Sequence, residues 1–319
     1  MNFKTITDLN SCINLNLSRI PKNIDLVVGV PRSGMIAAYL IALYLNLPCV
    51  DVDGMLRNDE IVCGNTKRRH SWINVCSDAK NILIVEDSTN TGQSILEIKE
   101  KLVGTGYENK VTYLAVYACN PGINQVDYYF EYIEPPRMFE WNYMHHDYLI
   151  NACFDIDGVL CEDPTAEQND DGEKYKKFIR NAEPRFIPTK KIGTLVTSRL
   201  EKYREDTEWW LNENGIEYDR LIMMQYATKE ERIARGNHGE FKGENYKKIK
   251  SASLFVESDP MQAEVIAKIS GKMVYCVGNQ QVYDESIRVK CVQKTKKSIR
   301  KIVKSILPDF MIRFFRKTN

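Results

Sequence analysis

The sequence contains no apolar run approaching the roughly 20 residues that a membrane-spanning helix needs, which excludes an integral span. It also lacks any C-x-x-C pair. Its nine cysteines are scattered and odd in number, against a disulfide framework or a cysteine zinc site and in favour of a reducing compartment. No internal repeat or low-complexity segment is present, so solenoids and biased tracts drop out. The opening MNFKTITDLN lacks the charged-then-apolar build of a signal peptide, and the expectation is a cytoplasmic protein. Net charge is nearly absent too, at +1, but that figure hides an asymmetry. Residues 293–319 carry nine Lys or Arg against Asp309 alone, which puts +8 there and −7 on the remainder.

What is there is a chain of 319 residues, 43% hydrophobic and 27% charged, enough for two folded domains of ordinary size. Apolar runs at 25–30, 46–52, 81–87 and 111–118 read as strands. Helical patterns separate them, one after Gly34 to Leu45 and another over 92–103. After about residue 148 the alternation restarts, with strand candidates at 152–157, 193–198, 253–258 and 273–278 and a helical pattern over 201–215 closed by a glycine. Strands alternating with helices imply parallel sheets with crossover helices. The expected fold class is therefore α/β, with two domains (1–148 and 149–292), each a mainly parallel sheet flanked by helices, and a basic tail at 293–319.

In the stretch NILIVEDSTNTGQSI, an apolar strand runs into Glu86-Asp87 and then into Ser88, Thr89, Asn90, Thr91, Gly92, Gln93 and Ser94. Ligands of open parallel sheets bind at the carboxyl ends of strands. A small-residue loop at a helix N-terminus makes an anion site, to which hydroxyls add donors. Two carboxylates just before such a loop suit a sugar phosphate, accepting from vicinal hydroxyls while the loop holds the phosphate. The plainer alternative is an ordinary strand-to-helix turn whose acids serve as caps. The stretch resembles the phosphoribosyl pyrophosphate signature of type I phosphoribosyltransferases, and GVPRSG (29–34) resembles that family's pyrophosphate loop. The resemblance implies that Glu86 and Asp87 hold the ribose hydroxyls, residues 88–94 the 5-phosphate, and Arg32, Ser33 and Gly34 the pyrophosphate. It further implies magnesium and inversion at C1 to a β-ribosyl product. Lys67-Arg68-Arg69, in the polar stretch 57–70, is either a loop that closes over the site or a solvated charge run.

A second stretch, NACFDIDGVLCEDPT, ends a strand in Asp155 and Asp157. Two carboxylates so spaced can divide the work: one attacks phosphorus, the other protonates the leaving oxygen and later activates water. The alternative is a strand ending in a capping acid. The stretch resembles the first motif of haloacid dehalogenase superfamily phosphatases, D-x-D-G followed by a hydrophobic pair. By that resemblance Asp155 is the nucleophile and Asp157 the acid/base. Thr197 would hydrogen-bond the transferring phosphoryl group, and Lys242 would neutralise charge, with Lys247 and Lys248 as rivals. Asp155, Asp157, Glu257 and Asp259 are the candidate magnesium ligands, the last motif departing from the family's common Gly-Asp form. Residues 161–192 leave room only for a small cap.

Between the two lies FEWNYMHH (139–146). Together with Arg137, its residues Trp141, His145 and His146 form either a hood over an acceptor or interdomain packing. In the tail, Ile299, Ile302, Val303, Ile306 and Phe310 share one helical face opposite Lys and Arg, a pattern that lies in an anionic bilayer interface. Docking on the protein itself is the alternative. No nucleic-acid recognition module accompanies the charge, so nucleic acid is not expected as a partner. Taken in series, the two resemblances imply transfer of 5-phosphoribosyl from phosphoribosyl pyrophosphate followed by removal of the 5-phosphate. They are similar to the bifunctional ribofuranosyl-forming enzymes of bacterial capsule and O-antigen synthesis. The expected acceptor is a lipid-linked glycan, met at the inner face of the membrane. Base salvage with a nucleotide phosphatase, and a phosphoribosyl pyrophosphate sensor fused to a phosphatase, stay open beside it.

Overall fold

The computed structural model describes residues 1–62, 72–228, 231, 234 and 236–284. The stretch Lys67-Arg68-Arg69 and the basic tail lie outside the described residues. The chain divides into two compact units, one of Met1–Tyr143 and one that starts at Met144. Each is an α/β unit built on a mainly parallel sheet, as the alternation of runs implies.

In the first unit β1 (Asn2–Lys4), α1 (Ile6–Asn16), β2 (Leu26–Gly29), α2 (Gly34–Leu45), β3 (Cys49–Asp51) and α3 (Val52–Arg57) are followed by β4 (Ile82–Thr89), α4 (Gln93–Leu102), β5 (Val111–Ala118), β6 (Tyr128–Tyr132) and β7 (Arg137–Phe139). The five-stranded sheet runs β3-β2-β4-β5-β6 with every neighbour parallel, and β1 pairs with β7 apart from it. Strands with both faces covered read as continuous apolar runs, and Ile82 to Val85 are all buried. The chain leaves β2 for β3 on one side and then returns to β4 on the other. That reversal is a topological switch point, where adjacent loops diverge and a ligand crevice opens.

The second unit contains β8 (Ala152–Phe154), α5 (Glu173–Asn181), β9 (Ile192–Leu200), α6 (Arg204–Glu213), β10 (Tyr218–Met224), α7 (His238–Lys248), β11 (Leu254–Glu257), α8 (Pro260–Ser270), β12 (Met273–Cys276) and β13 (Gln281–Tyr283). Its sheet order is β10-β9-β8-β11-β12-β13, parallel except for the β12–β13 pair. Here the switch point falls between β8 and β11. Asp155 follows the first of these strands and Glu257 ends the second.

Candidate functional sites

In the first unit the switch point brings the turn after β2 against the end of β4. Val30 N donates to Val85 O at 2.9 Å, and α2 starts at Gly34, directly over the acid strand. A Cβ on Gly34 would lie 2.8 Å from Val85 O and 3.2 Å from the Glu86 Cα, so glycine is what allows this approach. Ser33 Oγ donates to Asp87 Oδ1 at 2.7 Å, and Trp141 Nε1 donates to Asp87 Oδ2 at 2.7 Å. Both Asp87 oxygens thus hold a donor, one from each of two segments far away in sequence. Arg32, by contrast, stands exposed at the rim.

Glu86 is buried beside Asp87. Burial, with the neighbouring Asp87 charge adding to it, pushes its carboxyl up from 4.5 to about 9. It is therefore a neutral acid at neutral pH, able to donate as well as accept, while Asp87 is the acceptor of the pair.

The sequence places Ser88 and Thr89 in the phosphate loop, but β4 continues through them. They pair with Tyr117 and Ala118 of β5, and Thr89 is buried. The loop proper is Asn90, Thr91 and Gly92, leading into α4 with Ser94 in its first turn. Gly92 has φ 85°, in the left-handed region, and a Cβ there would meet Gln125 Cγ at 2.4 Å. Thr91 Oγ1 accepts from Gln93 N at 3.3 Å, and the opening amides of α4 point out of the helix as helix geometry requires. These amides and the exposed Asn90, Thr91 and Ser94 side chains are the donors offered to an anion.

Of the hood residues in this unit, Trp141 stacks on Phe139 at 4.9 Å and on Tyr117 at 6.4 Å. Arg137 lies over the Phe139 ring at 5.6 Å, its Nη1 buried with no hydrogen-bond partner among the described residues. The two histidines belong to the second unit and do local work there. His146 Nδ1 accepts from Tyr148 N at 3.1 Å, and His145 Nδ1 lies 2.9 Å from Thr189 Oγ1.

In the second unit a polar cavity of about 310 Å³ opens at the carboxyl ends of β8, β9 and β11, with Asp155, Asp157, Lys242, Glu257 and Asp259 in its wall. Lys242 comes from α7 and is 1% exposed; Lys247 and Lys248 on the same helix are exposed, so only Lys242 reaches the acids. Its Nζ donates to Asp155 Oδ2 at 2.6 Å, Glu257 Oε2 at 2.7 Å and Gln262 Oε1 at 2.8 Å, using all three protons of the ammonium. Burial raises the Asp155 carboxyl above the usual carboxylate range, Lys242 pulls it back, and Glu257 and Asp157 push it further up. Burial alone would lower the Lys242 ammonium, but Asp155 and Glu257 hold it above its ordinary value. Asp155 Oδ1 is buried with no hydrogen-bond partner among the described residues.

The other expected residues sit differently. Asp157 is engaged by Arg199, whose Nη2 lies 2.6 Å from Oδ1. Asp259 is the N-cap of α8, its Oδ1 accepting from Met261 N at 2.8 Å and Gln262 N at 2.9 Å. Thr197 is buried and its Oγ1 accepts from Arg199 N at 3.2 Å, whereas its neighbour Ser198 lines the cavity. A magnesium ion is therefore not offered four free carboxylate side chains. Among the described residues no three His, Cys, Asp or Glu are grouped to hold a metal. The unpartnered Asp155 Oδ1, with Glu257 as the second buried carboxylate, fits the way magnesium is usually held, through one or two carboxylates with phosphate and water completing its shell.

Among the cavity residues that sequence reasoning did not single out are Asp163, Asn169, His238 and Gln262. None stands in a recognisable spacing; they converge because the segment after Cys161 and the helices α7 and α8 cover the same strand ends.

No protein-family model matches the sequence. No curated protein matches it either. Among solved structures, a purine phosphoribosyltransferase from Pyrococcus horikoshii Ot3 is similar at 17% identity over 44% of this chain and 92% of the other, with a TM-score of 0.32. A xanthine-guanine-hypoxanthine phosphoribosyltransferase from Helicobacter pylori is similar at 14% identity over the same shares, with a TM-score of 0.33.

Proposed function

We propose that this chain transfers 5-phosphoribosyl from phosphoribosyl pyrophosphate to a glycan acceptor, with inversion to a β product, and then removes the 5-phosphate. The observation that carries the reading is a pair of acid sites, one per unit, each at the switch point of its own parallel sheet. The first joins Glu86-Asp87 to a small-residue loop at a helix N-terminus. The second sets a buried Asp155 against Lys242, a carboxylate beside a cation of the kind that phosphoryl transfer uses.

In the first step Asp87 accepts from the ribose hydroxyls, in exchange for the Ser33 and Trp141 donors it now holds. The neutral Glu86 adds a donor or acceptor without adding charge. Amides at the start of α4 bind the 5-phosphate, and the 32–34 turn meets the pyrophosphate as it departs.

In the second step a carboxylate oxygen of Asp155 attacks the 5-phosphate. The P–O bond to C5 of the sugar breaks, and Asp157 gives its proton to the leaving oxygen. Asp157 then takes a proton from the water that splits the acyl phosphate. Lys242 offsets charge on Asp155 and the phosphoryl oxygens. Magnesium, held by Asp155 and Glu257, would supply further charge neutralisation on the phosphoryl group. Hydrolysis makes the two-step sequence irreversible.

The acceptor in this reading is a lipid-linked glycan. The motive is the basic amphipathic tail, whose sequence suits an anionic membrane surface at its inner face. Among the described residues no helix is long and apolar enough to cross a membrane.

The test is mass spectrometry of lipid-linked glycans after incubation with phosphoribosyl pyrophosphate and magnesium, wild type beside Asp155→Asn. The expected result is a pentose added by the wild type and a phosphopentose by the variant. Pyrophosphate release with free bases and none with any glycan would replace this reading with base salvage.

A further inference from the structure

We propose that Arg199 is the positioning residue for proton transfer in the second unit, anchoring one oxygen of Asp157 so that the other carries the proton. The inference rests on the phosphatase reading above and goes beyond it in assigning the atoms. Arg199 stands near the end of β9, two residues past Thr197, and its side chain is 0% exposed, while that of Asp157 is 19% exposed at the cavity wall. The hold is uneven. Asp157 Oδ1 accepts from Nη2 at 2.6 Å and from Nε at 3.2 Å, and Cys161 Sγ lies 3.5 Å away; among the described residues Oδ2 has one hydrogen bond, from Nε at 3.2 Å.

The guanidinium has other ties as well, Nη1 to Thr207 Oγ1 at 3.4 Å and Nη2 also to Cys161 Sγ at 3.4 Å. A buried guanidinium is costly unless paired, and its rigid planar fork fixes a carboxylate in rotation as well as position. Nothing in the D-x-D-G motif orients its second aspartate. Arg199 does so from the next strand, reached because β8 and β9 are parallel neighbours. Oδ2 is then the oxygen that gives a proton to the alkoxide leaving group and later takes one from water.

The test uses the full chain with ribose 5-phosphate and with p-nitrophenyl phosphate. Expulsion of p-nitrophenolate needs no proton donor, whereas hydrolysis of the acyl phosphate needs a base to take a proton from the attacking water. Arg199→Lys keeps the cation but not the fork. It should lower turnover of ribose 5-phosphate by about 10²-fold, a general acid–base effect. With p-nitrophenyl phosphate it should still show a near-stoichiometric burst followed by a slow steady state. Introduced into Asp157→Asn, it should cause no further loss.

Turnover equal to wild type would overturn the inference. So would a burst that shrinks in step with turnover, or an equal loss in the Asp157→Asn background, since each marks a merely structural role. If Arg199→Lys does not fold, Thr207→Val loosens the guanidinium without emptying its site. A several-fold loss with the burst retained is then expected, and an unchanged steady state counts against the inference. Wild type lacking any hydrolysis that Asp155→Asn abolishes would instead fail the phosphatase reading, and this inference with it.

Discussion

Glu86 and Asp87 are adjacent in sequence and alike in chemistry, yet the fold gives them opposite characters. Asp87 meets two donors, Ser33 Oγ and Trp141 Nε1; burial leaves Glu86 more stable with its proton. The consequence for stability has a definite sign. A folded-state value raised from 4.5 to about 9 means that the contribution of Glu86 is whole below the unfolded value and is lost as pH rises through about 9. Glu86→Gln keeps the shape and removes the titration. Its melting temperature should decline less than that of wild type between about pH 5 and about pH 9, followed by circular dichroism. Parallel declines in the two proteins would mean that Glu86 is ionised in the fold. Lys242 shows the converse case, a cation that stays charged inside the protein because three oxygens surround it.

Among the elements, α8 limits which carboxylates could hold a metal. It starts Asp259-Pro260, with the aspartate at the N-cap and proline in the first turn, where its missing N–H costs nothing. A cap and a ligand make different demands on the same side chain, and substitution separates them. Asn caps as well as Asp, so Asp259→Asn should leave stability and magnesium dependence near wild type, whereas Asp259→Ala should lose about 1 kcal/mol in denaturant unfolding. A marked rise in the magnesium needed for the proposed phosphatase activity in Asp259→Asn would make Asp259 a ligand after all. The end of β4 makes a similar point. Its last two residues are hydroxylated and look like loop, but the sheet bonds of Ser88 and Thr89 to β5 are worth more than a turn.

At the scale of the whole molecule, each unit has its own core. Two clusters cover the faces of the first sheet, one containing Leu83, Val85 and Leu114 and the other Leu26, Val28 and Ile84. Cys153, Val196, Phe255 and Val274 belong to the core of the second unit. Damage should therefore stay local. Ile84→Ala should cost about 2–5 kcal/mol, seen as faster amide hydrogen exchange in β2, β4 and β5 with β8, β9 and β11 unchanged. Acceleration spread evenly over both sheets would show a single cooperative unit. Two sites on two separate cores also suit the proposed sequence of two reactions, because each site should be open to inactivation without unfolding the other unit.

By itself the sequence determined the parallel α/β class, the positions of most central strands and the two acid motifs. These depend on local pattern: apolar runs of strand length, small residues at turns, carboxylates at run ends. It did not mark the strand at 218–224, where YDRLIMM mixes charge with apolar residues and is held by pairing with β9. Nor could it choose Lys242 over Lys247 and Lys248, since all three lie on one helix and only the helix's rotation against β8 and β11 turns one of them inward. Tertiary structure likewise decided that Arg199 serves Asp157, that Trp141 serves Asp87, and that Asp259 caps a helix. Each is a contact between residues far apart in sequence or a competition for one side chain, and what resolves it is burial, where an unpaired charge or polar group costs more than any local preference.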